Sequence, residues 1–473
     1  MQKFRYWLPL VIISYIYGSW LIDNKHAGYY LWSDAEGYYL YLPEIFIHHR
    51  FENITVRTIG QFPNYPGTLK PWNRYTYGVA LMEAPFFLAA HVSRWIQHLP
   101  LDNPYANDYS VAILLAGSFY LTLGLYFLYL TLRRLFQSPK VVWLTLAILL
   151  LGTNLLHYAI KEPGMSHIYS FCLVSILLYA LPDFYKTPNI PNTLRLAIPF
   201  CLTTLIRPTN ILLFIPILFY EVYTLNDLKK RLQWYLDNSI PNLKSLVTSD
   251  SSDSSNPKSQ ISNPKSPVPS DSSDGSNPKS QISNPKLFII PLVGVLLAIP
   301  QMCYWYYLTG SPIFYSYAGG SGTFNALTHP KFYNIFFHLC NGFLVYSPIM
   351  AFTFVGMVWI AWKNKLNGKP ILALFVIIAY LCASWEFWWF GGAYGYRSFI
   401  DFYPLMALGL AYYLQRLLQG KRWFLYLNLI IMSFFILLNL RMDSIRFYAQ
   451  VDSDAHNADL YWTALKKSLW IIP

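Results

Sequence analysis

Apolar residues run almost unbroken through 7–22, 110–132, 141–159, 166–182, 194–206, 211–225, 287–308, 342–362, 371–385, 402–415 and 423–440, with short polar stretches between them. A helix needs about 20 apolar residues to cross a bilayer. These eleven runs predict an all-α polytopic membrane protein. A further run, 78–96, contains Glu83, His91 and Arg94 and follows a stretch rich in Pro and Tyr. Its mixed character predicts a helix lying along the membrane interface. The two short runs of 194–225 are separated by 207-RPTN-210. An Arg at mid-bilayer costs at least about 2.5 kcal/mol, and the adjacent Pro favours a break. A tight hairpin with Arg207 at the outer face relieves both problems.

Composition agrees with this pattern. Of 473 residues, 55% are hydrophobic and 12% charged, whereas soluble domains carry roughly 25% charged residues. Aromatic residues make up 18%, and Trp and Tyr favour membrane–water interfaces. The formal net charge of +12 does not point to nucleic acid, because no basic stripe interleaves with aromatics. The five cysteines lie in or beside apolar runs with no CxxC spacing. They read as small buried apolar groups rather than a disulfide framework or zinc site. No small-residue cleavage site follows the first run, which predicts an uncleaved first span.

Charge orients the spans. With the N-terminus in the cytoplasm and 78–96 on the outer surface, the short basic loops fall on one side: Arg133, Arg134 and Lys140; Lys186 and Arg195; Lys229, Lys230 and Arg231; Lys363, Lys365 and Lys369; Arg416, Lys421 and Arg422. That is the positive-inside pattern. The division expected is a core at 1–225 with an outer loop at 23–109, a cytoplasmic loop at 226–286, a second bundle at 287–440 and an outer tail at 441–473. Within 249–286 a unit of Ser, Asp, Asn, Pro and Lys repeats at a shift of 21 residues. It has no face to bury, so a disordered expansion without a catalytic role is expected.

The outer side then collects a selected set: Asp34, Glu36, Glu44, His48, Arg74 and Glu83, the stretch 161-KEPGMSH-167, Arg207, and 384-SWEFWWFGGAYGYRSFIDF-402. Ser33-x-x-Glu36 fits a capping box, with Glu36 reaching back to its own helix start. Asp34 and Glu36 are two apart and point in different directions on a helix. Asp34 then either serves the helix dipole or faces a substrate. Glu44 and His48 share a helical face, too few for a metal site by themselves. Arg397 suits bidentate phosphate binding or an ion pair with Asp401 four residues on. Gly391, Gly392 and Gly395 allow close backbone approach, and the neighbouring Trp and Phe suit a sugar or lipid. His167, at the start of a span, is placed to meet a phosphate together with Arg207, or is simply structural.

Taken in order, 34-DAE-36 after one span, 73-NRYTYGVALMEAPFFLAAH-91, 207-RPTN-210 between apolar arms and 396-YRSFIDFYPL-405 opening a late span resemble the GT-C membrane glycosyltransferases. The nearest pattern is that of protein O-mannosyltransferases and lipid A aminoarabinose transferases. The resemblance implies a GT-C-like fold with juxtamembrane helices in the first outer loop. It also implies a polyprenyl-phosphate sugar as donor, a glycan, lipid or protein acceptor, and transfer with inversion at the outer face of the inner (plasma) membrane. Asp34 matches the family's catalytic base. Arg397, Arg207 and His167 are looser counterparts of its phosphate-binding residues, with Glu36, Arg74, Tyr75 and Asp401 in support. No cofactor is firmly implied, and a divalent metal stays open because a clear second acidic motif is missing. The rival class is a transporter or flippase of lipid-linked saccharides. Such proteins hold ionisable groups near the midplane of two repeats; here no internal repeat relates the spans.

Overall fold

The computed structural model describes residues 7–23, 30–52, 56–58, 62–239, 286–317, 322–449 and 458–471. Among these the architecture is helical throughout, with a single isolated β-bridge between Asn64 and Pro71. The repeat of 249–286 lies, apart from Lys286, outside the described residues.

Ten of the eleven apolar runs become helices, whereas 211–225 gives only the end of a 3-10 turn and one short helical stretch, Phe214–Leu218, before the chain turns. The ten are α1 (Leu8–Asp23), α4 (Asn107–Leu135), α5 (Pro139–Leu151), α6 (Ser166–Lys186), α7 (Ile190–Ile206), α8 (Ile289–Thr309), α9 (Met350–Trp362), α10 (Gly368–Ser384), α11 (Tyr403–Leu418) and α12 (Arg422–Ala449). In the first polar segment lie α2 (Ser33–Tyr39) and α3 (Gly78–Ile96). Among the described residues α4, α6, α8 and the 422–445 part of α12 are long and apolar enough to cross a membrane. Shorter apolar helices stand beside them. Burial separates inner from outer members: 72% of the apolar window of α6 is buried, against 17% in α8 and in α12. Two long helices presenting apolar surface on this scale need an apolar surrounding. The chain is a helical membrane protein.

Helices α4 and α6 pack closely because Gly124 lets the ring of Phe171 and the backbone of Cys172 approach. In the second half, Gly356 of α9 faces Gly409 of α11: a methyl group on Gly356 would collide with the Gly409 backbone, and one on Gly409 with Met357. Helix α11 is almost entirely buried, so this apolar run forms the centre of the bundle rather than a lipid-facing span.

Two breaks matter for the site. Helix α7 stops at Ile206, Arg207 is extended, and Pro208 opens a 3-10 turn to Leu213. Asn210 then reaches back across the turn, its Nδ2 3.1 Å from Thr203 Oγ1. The chain thus breaks where the Arg–Pro pair predicts. The run 141–159 also breaks: α5 ends at Leu151 and a separate turn covers Leu155–Ile160. Residues 152–154 instead serve a buried polar network, in which Asn154 Nδ2 donates to the Tyr394 carbonyl and its Oδ1 accepts from Tyr403.

Candidate functional site

Helix α2, the loop before α3, the start of α6, the break after α7 and the turn before α11 meet at one end of the bundle. They enclose a cavity of about 520 Å³. Asp34, Arg74, Tyr75, His167, Arg207 and Arg397 all line it. Glu36 and Asp401 lie behind the wall, completely buried. Its aromatic side is built by Trp305, Phe314, Trp385, Phe387 and Phe390. Gly391, at φ 66°, completes the curve in a conformation that a side chain would strain.

Asp34 is held from two sides. Arg397 Nη2 donates to its Oδ2 at 2.5 Å, and Tyr75 Oη donates to its Oδ1 at 2.5 Å. Burial pushes the Asp34 carboxyl up, but the Arg397 guanidinium and the Tyr75 hydroxyl outweigh it, and the net position is below the usual carboxylate range. Burial opposes the charge of Arg397 as well, yet Asp34 holds that guanidinium more firmly protonated than usual. Arg397 is thereby spread between a carboxylate and Met165 Sδ, 3.6 Å from its Nη1.

The Arg397–Asp401 pair suggested by their spacing does not form. Residues 397–402 make a 3-10 turn rather than an α-helical one, so i and i+4 are not stacked. Asp401 turns to other partners: Asn210 Nδ2 donates to Oδ2 at 3.0 Å, His167 Nδ1 lies 2.9 Å from Oδ1, and Arg207 Nη1 lies 3.6 Å from Oδ2. Burial raises the Asp401 carboxyl, but Arg207, His167 and Asn210 bring it below the ordinary range. His167 Nδ1 is also 3.0 Å from Arg207 Nη1. One ring nitrogen cannot donate to a carboxylate and accept from a guanidinium at once. The charge-assisted bond to Asp401 is the stronger, so Nδ1 carries the proton. Asp401 therefore fixes the orientation of two cavity residues without reaching the cavity itself.

The capping box at Ser33 is also absent. Trp32 occupies the N-cap position without a side-chain bond, and Ser33 sits at φ 54°. The Glu36 carboxylate instead accepts from Arg57 N at 2.5 Å, Thr58 N at 2.9 Å and Tyr105 Oη at 2.5 Å. These donors are 21 to 69 residues away, so no local motif reveals them. Glu36 fastens the chain at Arg57, Thr58 and Tyr105 onto α2 and so places Asp34.

Glu44 and His48 do not form a site. Their segment is a π-helical turn, Glu44 is buried and His48 is largely outside the core. Burial pushes the Glu44 carboxyl up to about 8, with Arg50 pulling it back. A carboxyl kept neutral is a poor metal ligand. Among the described residues no three His, Cys, Asp or Glu side chains cluster in a way that holds a metal ion. Asp34 and Asp401 each already face cations, which does not fit a divalent metal at this cavity.

Sequence reasoning did not assign Tyr38, Tyr317 and Cys382 to the site, yet they also line the cavity. Only the run of tyrosines after Asp34 hints at them. No family model matches the chain, and no curated protein matches it.

Proposed function

We propose that the chain is a membrane glycosyltransferase of the GT-C type, transferring a sugar from a polyprenyl-phosphate donor to an acceptor hydroxyl. Eleven spans would place its N-terminus in the cytoplasm and the cavity at the outer face. The observation that carries the reading is the charge of the cavity wall. Arg74, Arg207 and Arg397 line it, against a single lining carboxylate, Asp34. A positive pocket with an aromatic side suits an anionic phosphate bearing a sugar.

In this reading the acceptor oxygen attacks the anomeric carbon while Asp34 takes its proton. The bond from that carbon to the phosphate oxygen breaks, and the leaving phosphate keeps the electron pair. Arg207 and Arg397 neutralise it, as preorganised cations do for developing charge. Asp34 and phosphate compete for Arg397. Donor binding draws the guanidinium toward phosphate, which raises the basicity of Asp34 when a base is needed. His167, oriented by Asp401, adds a polar contact beside Arg207.

The test is a purified preparation in nanodiscs supplied with polyprenyl-phosphate sugars, read as released polyprenyl phosphate. Turnover that falls about 10²–10⁴-fold in Asp34→Asn supports a general base there. Absence of turnover with every lipid-phosphate sugar, combined with saccharide flux across proteoliposomes, supports a transporter instead.

A further inference from the structure

At the end of the bundle opposite the cavity, the segment Leu225–Ser239 forms a helix that the proposed reaction does not use. Its start is well defined. Asp227 Oδ2 accepts from the backbone N–H of Thr224 at 2.9 Å, and Thr224 Oγ1 accepts from Asp227 N at 3.2 Å. One face is fastened to the bundle. Arg231 stacks on the ring of Tyr185, 3.8 Å from its centroid, and Nη2 donates to the Tyr220 carbonyl. Trp234 packs on Phe184 and Tyr185 at the end of α6, and Tyr235 Oη donates to the Leu218 carbonyl.

The opposite face is exposed. Leu225 is 79% exposed, and Leu232 and Leu236 are each 54% exposed. At 100° per residue these three fall within a narrow stripe with Lys229, and Lys230 lies on the polar flank. A leucine stripe of this kind is costly in water. It is continuous with apolar surface that faces outward from the flanking helices: Phe288 is 72% exposed, and Leu218 and Phe219 are 38% exposed. The same end of the bundle carries exposed Arg134, Lys140, Lys186, Lys365 and Lys369. Segment 363–369 belongs here because Asn367 Nδ2 donates to the Pro216 carbonyl at 2.8 Å.

We propose that the helix Leu225–Ser239 lies on an anionic lipid surface. Its leucine stripe enters the acyl boundary, and Lys229 and Lys230 meet the headgroups. The lysine stems extend along the apolar surface while the ammonium groups stay at headgroup level. Anionic headgroups are the complement of the surrounding lysines.

The test uses the full-length chain with Cys303 replaced by Ser, carrying a single fluorophore at Leu232→Cys or Gln233→Cys. Samples are nanodiscs containing brominated acyl chains, either zwitterionic or with a third of anionic phosphatidylglycerol. The expected result is quenching at least threefold stronger at 232 than at 233. It should increase by at least half with the anionic lipid, and Lys229→Gln with Lys230→Gln should remove that increase. Equal quenching at both positions overturns the proposal, as does quenching at 232 that ignores lipid charge. Protection of 232 in detergent that rises with protein concentration also overturns it, in favour of a second copy of the chain. None of the altered residues contacts the cavity, so turnover from lipid-phosphate sugars reports on the proposed reaction separately.

Discussion

Two buried ionic clusters lie at the same end of the molecule and differ in what they face. In one, Asp34 and Arg397 meet at a cavity wall. In the other, Asp443 Oδ2 meets Lys161 Nζ at 2.7 Å, Asp443 Oδ1 meets His157 Nδ1 at 2.5 Å, and Glu162 lies 3.3 Å from His157 Nε2. Lys161 is 1% exposed, more deeply buried than Arg397, yet none of these four residues lines the cavity. The second cluster binds the turn before α6 to α12. Buried charge alone is therefore no sign of chemistry. A charge pair whose partner can be exchanged for a ligand is a better one, and only the first pair has space beside it.

The largest test of this contrast is Asp34→Asn, for which turnover is expected to drop about 10²–10⁴-fold, with a smaller stability loss than at Asp443 because Arg397 faces the cavity. Asp443→Leu should reverse the pattern. It removes the carboxylate that meets both Lys161 and His157, a loss of about 3–5 kcal/mol. Unfolding in detergent should show that loss, while turnover per folded molecule stays near wild type. Replacing both partners, Lys161→Met with Asp443→Leu, should restore most of the stability, because an apolar pair avoids the desolvation penalty. Activity loss in the Asp443 variant without unfolding would erase the distinction between the two clusters.

Arg397→Lys keeps the charge but loses the fork. Hydrogen bonds to charged groups contribute about 1.5–3 kcal/mol, so turnover should fall roughly ten- to a hundredfold. Arg397→Gln removes the charge that keeps Asp34 low. The acid limb of the pH–rate profile, set by a carboxylate held under its ordinary range, should then move upward. An unmoved limb would separate Asp34 from the pH dependence. Glu36→Gln should cost about 1–3 kcal/mol of stability, because the amide keeps one acceptor oxygen and its NH₂ cannot accept, so one of the bonds from the Arg57 and Thr58 N–H groups is lost.

A last, pH-dependent effect concerns Glu44. Its folded carboxyl sits at about 8, above its unfolded value near 4.3. The unfolded chain ionises first, so stability attributable to the neutral acid is present at low pH and declines as pH rises between about 4 and 8. The stability of wild type relative to Glu44→Gln should fall through that window, in the variant's favour, and level off above it. A difference that is constant from pH 5 to pH 9 would remove this residue from the pH response.

Some of this was legible in the chain. Apolar runs are a local property, and burying them is non-directional, so the helical membrane class and most helix positions followed from composition and spacing. The break at Arg207–Pro208 followed from the same reasoning, since a charged group and a missing N–H act where they stand. The candidate residues were likewise found by type and by their gathering in the segments between runs. Their partners were not. Arg397 and Asp34 lie 363 residues apart, and the bonds of Glu36 and Asp401 reach across separate helices. Such contacts depend on which faces pack together, and helices of similar hydrophobicity do not announce that in sequence. The local alternatives, a capping box and an i,i+4 ion pair, were plausible because they need only neighbours. Long-range hydrogen bonds displaced them once the helices had met: the backbone N–H groups of Arg57 and Thr58 found their acceptor in the buried Glu36 carboxylate, and a 3-10 turn moved Asp401 away from Arg397. The sequence alone determined the class of molecule and the residues capable of chemistry; tertiary packing decided which of those residues share a cavity, because only it sets distances between parts of the chain that local forces never relate.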